Sequence, residues 1–316
     1  MDSDPQLQRL LASRRAERVP LVYIKSAIHS GSTLLALQLA RHPQVATVGE
    51  LSGTRWRARP GYKCSCGREL EHCSFWPKVS AAMARRGFSY SASTAETDIR
   101  NAASRYARRL LRPLHRGPLL EAARDFALAL WPRASAHIRH QQQLKAALVE
   151  SVVECTGKPV LVDSSKTGVQ LKYHLRNPRF DVKVLWLVRD GRGVALSVAR
   201  NARLSIRQAA YQWRRSNEEA ATIVRRLDRS QWMQVRYEAL CAEPDRTLGA
   251  LWQFIGVAPQ PAQGAEPDYH VLGHWTRLNG ARKIAPNEKW RTELSAADLR
   301  CFEGVAGRLN RELGYR

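Results

Sequence analysis

The sequence contains no apolar run long enough to cross a membrane. A membrane-spanning helix takes about 20 consecutive apolar residues, and no such window occurs in the 316 residues. Residues 1–18 are polar and charged, without the apolar centre of a secretory signal peptide. We therefore expect a cytoplasmic protein, with a peripheral position at the inner membrane face as a further option.

Acidic residues are scarce relative to basic ones. The chain has 51 Lys and Arg against 28 Asp and Glu, a formal net charge of +23. Such a surface attracts polyanions. No helix-turn-helix, zinc-finger or RNA-binding motif accompanies the charge, so we predict no specific nucleic-acid partner. An anionic membrane face, an acidic acceptor and an arginine-rich genome stay open as explanations.

The Gly-x-x-x-x-Gly-Lys-Ser/Thr loop that binds a metal-bridged triphosphate is also missing. A strand–loop–helix junction of a different kind is present. Residues 21–24 form a short apolar run that predicts a buried strand, residues 26–32 are small and polar, and a helix is predicted from Thr33. The first N–H groups of a helix favour a bound anion, and Gly31 would let that anion approach the backbone. The junction predicts a phosphate site; a plain strand-to-helix turn is the alternative.

A second anion site is predicted much later in the chain. Residues 181–188 form a nearly continuous apolar run, as expected of a parallel strand covered on both faces. Arg189 ends this run, and Ser197 follows two turns into the next predicted helix. A guanidinium and a hydroxyl so placed can converge on one anion.

Two further charged residues each follow a predicted strand. Residues 45–48 lead to Glu50, and the strand that starts near Pro159 leads to Lys166. Ligands of open parallel sheets bind at the carboxyl ends of the strands. We therefore expect Glu50 and Lys166 near the phosphate loop; solvated turn residues are the alternative for both.

These motifs resemble those of the sulfotransferases that use 3′-phosphoadenylyl sulfate, in their bacterial, carbohydrate and tyrosylprotein branches. Residues 29–35 resemble the 5′-phosphosulfate loop of that family, with His29 where Arg or Lys is usual. Arg189 and Ser197 resemble its 3′-phosphate motif, and residues 270–290 resemble the lid over the nucleotide. Two separate anion sites are what a 3′,5′-bisphosphate nucleotide requires.

The resemblance implies an α/β fold of the three-layer, P-loop-like kind, with a central parallel sheet and a helical insertion. It implies a single domain over residues 1–316. The insertion over residues 76–156, which is rich in Arg, Ala and Leu, would bind the acceptor. Part of it is basic and amphipathic, which fits an anionic surface or, as the alternative, a solvated helix face.

The resemblance also implies roles for individual residues. The expected reaction transfers a sulfuryl group from 3′-phosphoadenylyl sulfate to an acceptor hydroxyl, with adenosine 3′,5′-bisphosphate as product and no metal required. Glu50 is expected to take the acceptor proton, while Lys166 and His29 stabilise the sulfuryl oxygens. The expected nucleotide ligands are His29, Ser30, Gly31, Ser32, Thr33, Leu34, Arg189, Ser197, Tyr237, Arg282 and Lys283.

Other functions are kept as alternatives. The acceptor would be a carbohydrate, a lipid-linked saccharide, another small molecule or a protein tyrosine. A P-loop-type kinase is disfavoured by the missing Gly-Lys-Ser/Thr. A non-catalytic basic module on an anionic membrane or nucleic acid would explain the charge, but it would not explain two paired anion motifs.

Three of the six cysteines lie close together in the sequence. Their spacing, a C-x-C pair and a later His-Cys pair, is not that of common zinc fingers. A similar turn occurs in bacterial sulfotransferases, so we expect a structural turn without a metal. Zinc is the alternative, with its four ligands from Cys64, Cys66, His72 and Cys73.

Overall fold

A five-stranded parallel sheet lies at the centre of the computed structural model, which describes residues 18–53, 61–112, 117–260, 270–273, 278 and 286–316. Its strands follow the order β2-β3-β1-β4-β5, and every neighbouring pair is parallel. The strands are β1 (Val19–Ser26), β2 (Val45–Thr47), β3 (Val160–Asp163), β4 (Phe180–Val188) and β5 (Trp232–Arg236). The predicted α/β fold with a central parallel sheet is confirmed.

Helices connect the strands in the described residues. Those before β4 are α1 (Ser32–Leu39), α2 (Trp76–Arg85), α3 (Arg105–Leu110), α4 (Pro118–Leu130), α5 (Pro132–Thr156) and α6 (Gly168–Leu175). Those after β4 are α7 (Gly191–Ala202), α8 (Ile206–Val224), α9 (Tyr237–Ala242), α10 (Pro244–Ile255), α11 (Trp290–Glu293), α12 (Ala296–Phe302) and α13 (Arg308–Glu312).

Alternation along the central strands divides the core into two layers. On β1, Leu21 and Tyr23 join one hydrophobic cluster, while Val22 and Ile24 join another on the opposite face. The first cluster includes side chains of α5, α7 and α8, and the second includes side chains of α1, α9 and α10. Because both faces are covered by helices, the central strands β1 and β4 are mostly apolar. The result is three layers, as predicted.

The helices between β2 and β3 correspond to the predicted insertion. α2 begins at Trp76, and α5 ends at Thr156, where Gly157 adopts a left-handed conformation. At the end of the chain, α12 and α13 are separated by a π-helical turn at Glu303–Gly307. Within the described ranges, no helix combines the length and the apolar character that crossing a bilayer needs.

Candidate active site

The loop after β1 has the features of an anion site. Gly31 caps α1 in a left-handed conformation (φ 92°), and the first intrahelical bond runs from the Leu35 N–H to the Gly31 carbonyl, 3.0 Å away. The N–H groups of the first turn therefore have no intrahelical acceptor. A Cβ at position 31 would lie 2.6 Å from the Tyr237 ring, so this position needs glycine. The geometry matches the predicted phosphate loop.

Several buried hydroxyls at the same edge of the sheet have no hydrogen-bond partner among the described residues. A buried polar atom without a partner is uncommon and calls for an explanation, such as a ligand. The Ser30 side chain is only 1% exposed and belongs to the loop itself. The hydroxyls in question follow the carboxyl ends of β1 and β3: Ser26, Ser30, Ser164 and Thr167.

Arg189 joins the two predicted anion sites. Its Nη1 donates to the carbonyl of His29 at 2.9 Å, and its Nη2 donates to the carbonyl of Asn287 at 3.1 Å. The guanidinium also lies 4.5 Å above the Tyr237 ring. His29 itself has a positive φ of 59°. The arginine at the end of β4 is therefore held directly against the loop at the end of β1.

Ser197 lies on the helix face that is turned toward Arg189. A Cβ at Gly193 would lie 3.6 Å from Arg189 Nη2 and 3.2 Å from the Trp290 ring. Ser197 is one turn further along α7, on the same face as Gly193. A polar cavity of about 240 Å³ opens beside Gly193; its lining includes Arg189, Gly193, Tyr237 and Trp290 but not Ser197. Arg282 and Lys283, the other expected ligands, lie outside the described residues.

Tyr237 is part of this cavity as well. The ring packs against Gly31 and beneath Arg189. Burial raises the pKa of the Tyr237 hydroxyl to about 12, so the group is neutral at ordinary pH. The neutral phenol stacked under the guanidinium therefore occupies part of the cavity wall without adding negative charge.

Glu50 and Lys166 meet at the same edge of the sheet, in the loops after β2 and β3. Lys166 Nζ lies 2.5 Å from Glu50 Oε1, and it also donates to the Ser164 carbonyl at 2.9 Å. Both side chains are only partly exposed. Lys166 has a positive φ of 70°, which is uncommon for a residue with a side chain. The Ser164 N–H donates to the Gly49 carbonyl at 2.9 Å, which joins the loops after β2 and β3.

A buried network beneath these loops was not predicted. Asp163 Oδ1 accepts from the N–H groups of Leu51 and Ser165 at 3.1 and 2.9 Å, and Oδ2 lies 3.2 Å from His174 Nε2. Burial lowers the pKa of His174, which keeps the imidazole neutral. Burial is the largest influence and opposes ionisation of Asp163, but the hydrogen bonds with His174 and Ser165 and the nearby charge of Lys145 together outweigh it and lower the pKa of the carboxyl. The network fixes both loops that present Glu50 and Lys166.

Lys25 was also missed by reasoning from the sequence. It is on β1, and its Nζ lies 2.9 Å from Glu219 Oε2 on α8, with side-chain exposures of 2% and 5%. Nζ also donates to Ser216 Oγ, which in turn donates to the carbonyl of Ser26. The signal was available, because a lysine inside an apolar strand needs a partner.

The cysteine turn, residues 64–73, lies close to the segment 270–273. Three thiols and one imidazole place their ligand atoms within 4.8 Å of one another: Cys64, Cys66, Cys73 and His270. His72, the histidine of the sequence-based alternative, is 77% exposed and lies beside Glu69. The histidine near the thiols thus comes from a part of the chain distant in sequence.

A second cavity, of about 270 Å³, lies away from these residues. It is lined by side chains of α4 and of the C-terminal parts of α6 and α8, among them Asp125, Lys172 and Ile223. α6 leads into β4 and the chain after α8 leads into β5, so this cavity is at the amino edge of the sheet. It is not part of the candidate active site, because open parallel sheets bind ligands at the opposite edge.

A protein-family model and several solved structures match most of the chain. A model of the sulfotransferase family matches residues 20–261. The fold is similar to the sulfotransferase domain of the Synechococcus PCC 7002 olefin synthase, with a TM-score of 0.54 and 21% identity over 95% of this chain and 96% of that domain. It is also similar to the sulfotransferase domain from the curacin biosynthetic pathway, with a TM-score of 0.51 and 19% identity over 95% and 99%. No curated protein matches the sequence.

Proposed function

The chain belongs to the sulfotransferase family, and we propose that it transfers the sulfuryl group of 3′-phosphoadenylyl sulfate to an acceptor hydroxyl. The single observation that carries this proposal is the contact between Arg189 Nη1 and the His29 carbonyl, 2.9 Å apart. It brings two anion sites within reach of one ribose that carries a phosphate on both its 3′ and 5′ positions.

The residues present fit such a nucleotide. The first-turn amides of α1 and the buried hydroxyl of Ser30 offer donors to a 5′-phosphosulfate. Arg189 and the helix face that carries Ser197 offer donors to a 3′-phosphate. We assign Arg282 and Lys283 as further ligands of that phosphate. Every one of these groups donates hydrogen bonds, which is what a multiply anionic ligand needs.

We assign the chemistry to the Glu50–Lys166 pair. When bound, the donor supplies a sulfuryl group that moves in line to the acceptor oxygen, so positioning and charge stabilisation carry most of the catalysis. Glu50 accepts the proton of the acceptor hydroxyl. Lys166, held at 2.5 Å from Glu50, keeps the carboxylate oriented and places a cation beside the transferring group. His29 and the α1 amides stabilise the leaving 5′-phosphate, and this assignment requires no metal.

We assign acceptor binding to the helical insertion, residues 76–156. Lys145 of α5 is buried and donates to the carbonyls of Leu51 and Thr97 at 2.7 and 2.9 Å. The Thr97 hydroxyl donates to the same Leu51 carbonyl at 2.7 Å. Because Leu51 follows Glu50 directly, an acceptor held by the insertion would have its hydroxyl beside the proposed base.

The net charge of the chain bears on which acceptor or surface the enzyme contacts. With a net charge of +23, long-range attraction would favour an acidic acceptor or an anionic membrane face. We propose a cytoplasmic enzyme with peripheral contact of this kind. Binding to vesicles that contain anionic lipid should then fall steeply with added salt.

The test of the nucleotide site is a calorimetric titration in the absence of Mg²⁺. Adenosine 3′,5′-bisphosphate should bind at least about tenfold more tightly than adenosine 5′-monophosphate, because hydrogen bonds to charged groups contribute about 1.5–3 kcal/mol. Equal affinity for the two nucleotides would contradict the proposal. Mg²⁺-dependent hydrolysis of ATP would favour the kinase instead.

The acceptor can be found with the radiolabelled sulfuryl donor and a fractionated cell extract. We expect one acceptor fraction to carry the label and to retain it after the nucleotide has been removed. Vesicle or DNA binding without any nucleotide affinity would favour the non-catalytic basic module.

A further inference from the structure

We propose that one zinc ion ties the cysteine turn, residues 64–73, to the segment 270–273, with four ligands: Cys64, Cys66, Cys73 and His270. The metal site does not depend on the proposed function. Only its consequence for catalysis, the positioning of Glu50, rests on that function.

The distances between the ligand atoms fit a tetrahedral zinc site. With Zn–S near 2.3 Å and Zn–N near 2.0–2.1 Å, the edges of the tetrahedron are roughly 3.6–3.8 Å. The Cys66 and Cys73 sulfurs are 3.7 Å apart. His270 Nδ1 lies 3.8 Å from the Cys64 sulfur and 3.2 Å from the Cys73 sulfur. No pair exceeds 4.8 Å, so small side-chain movements complete the geometry.

The donor set is that of a structural zinc site. Three thiolates and one imidazole fill all four positions, which leaves none for a substrate or a water molecule. Cys64 and Cys73 are buried, at 0% and 1% exposure. This closed, thiolate-rich set therefore suits a metal that holds two segments together rather than one that takes part in the reaction.

The local backbone presents the C-x-C pair in a tight turn. The Cys64 N–H donates to the Arg68 carbonyl at 2.8 Å, and the Gly67 N–H donates to the Cys64 carbonyl at 2.9 Å. Gly67 has a positive φ of 83°, which closes the turn. The Phe75 ring stacks on the His270 ring, with centroids 4.8 Å apart and planes 4° from parallel. This stacking fixes the imidazole with Nδ1 toward the thiols, as the surroundings of metal-bound histidines commonly do.

The site would position the segment beside the proposed base. The Leu272 N–H donates to the Val48 carbonyl at 2.8 Å, and the Glu50 N–H donates to the Leu272 carbonyl at 3.3 Å. A Cβ at Gly273 would lie 3.3 Å from the Glu50 side chain. Residues 270–273 thus continue the β2 edge of the sheet and confine Glu50. Zinc at His270 would hold this arrangement in place from one side.

His72 provides a matched control for His270. It adjoins Cys73 in sequence, but its side chain is 77% exposed and lies beside Glu69 instead of the thiols. A zinc site made of sequence neighbours would use His72, whereas the site proposed from the structure uses His270. The two histidines therefore separate the two assignments.

The first test is the metal content of the full chain, purified under reducing conditions without metal-affinity resin. We expect about one zinc ion per chain in the wild type and in His72→Ala, and a large loss in His270→Ala. His270→Cys should keep the metal, since four thiolates also bind zinc. Loss of zinc in His72→Ala with retention in His270→Ala would overturn the assignment.

The second test uses the wild type alone, so it stands even where His270→Ala fails to fold. Replacing zinc by Co²⁺ should give the visible absorption of tetrahedral cobalt bound to thiolates. Three of the six cysteines should resist a thiol reagent until a chelator is added. Metal-free protein with reactive thiols, or a Cys66–Cys73 disulfide detected by mass, would overturn the proposal.

Nucleotide affinity keeps this result separate from the proposed function. A chain that binds adenosine 3′,5′-bisphosphate but no zinc refutes the metal site alone. A chain that binds zinc but no nucleotide refutes the proposed function alone.

Discussion

The two halves of the sheet are built differently at their carboxyl ends. After β1 and β4, the described contacts involve mainly the backbone: helix-start amides, the His29 carbonyl and the guanidinium of Arg189. After β2 and β3, the ends carry a charged pair, Glu50 and Lys166, above the buried Asp163–His174 network. We expect the first half to hold fixed anions and the second half to move a proton beside them.

This difference predicts that the two halves are sensitive to different kinds of substitution. Backbone donors depend on φ and on close packing, as the contact between Gly31 and Tyr237 illustrates. A side-chain pair depends on burial and on hydrogen bonds that fix its loops. Substitutions should therefore separate nucleotide affinity, in the first half, from turnover, in the second.

The largest expected effect is on turnover, from Glu50→Gln in the second half. Removing a general base should lower turnover about 10²–10⁴-fold and leave the affinity for adenosine 3′,5′-bisphosphate nearly unchanged. Single-turnover transfer and calorimetry measure the two quantities. The exposed Glu71→Gln is the matched control. Wild-type turnover in Glu50→Gln would remove Glu50 from this role.

Next in size is an effect on stability, from Lys25→Met beneath the β1 end. Glu219 would be left buried without its lysine, which should cost about 3–5 kcal/mol of unfolding free energy. The double variant Lys25→Met/Glu219→Gln should recover most of that loss, because the carboxylate charge that faced Lys25 is removed as well. Urea unfolding measures both, with the exposed Lys78→Met as control. Additive losses in the double variant would contradict the coupling.

What the sequence predicts well is what depends on local pattern. The strand over residues 181–188 is observed as Phe180–Val188, because a continuous apolar run has few other structures open to it. The loop around Gly31 was predicted for the same reason, since small residues between a strand and a helix indicate a turn. The rule that parallel strands present ligands at their carboxyl ends led to the prediction that Glu50 and Lys166 lie near this loop.

What the sequence could not predict depends on contacts between distant segments. Nothing in the spacing of residues 64–73 indicates that His270 lies beside the thiols, because the two segments are about 200 residues apart in the chain and meet only in the folded structure, where the Ser65 hydroxyl accepts from the Val271 N–H at 2.7 Å. Lys25 and Glu219 likewise meet only when α8 packs on the sheet. For partners so far apart, the sequence can show that one residue needs a partner, as a charge within an apolar strand does, but it does not show which residue that partner is.

The effect on nucleotide affinity should be largest for Arg189→Ala in the first half. Losing a charge-assisted contact of about 1.5–3 kcal/mol should weaken adenosine 3′,5′-bisphosphate roughly 10- to 100-fold. Turnover at saturating donor should change far less, which is the reverse of Glu50→Gln. The exposed Arg179→Ala, which removes an equal charge near Glu150, is the control. Unchanged affinity in Arg189→Ala would count against a shared site.

The smallest expected effect comes from Ser197→Ala on the α7 face that adjoins Arg189. One hydroxyl donor contributes about 0.5–1.5 kcal/mol, so affinity for adenosine 3′,5′-bisphosphate should fall only about 2- to 12-fold. Affinity for adenosine 5′-monophosphate should stay the same, since that nucleotide lacks the 3′-phosphate. The comparison of the two nucleotides isolates this hydroxyl from any change in folding. Equal losses for both would show that Ser197 supports α7 instead of binding the phosphate.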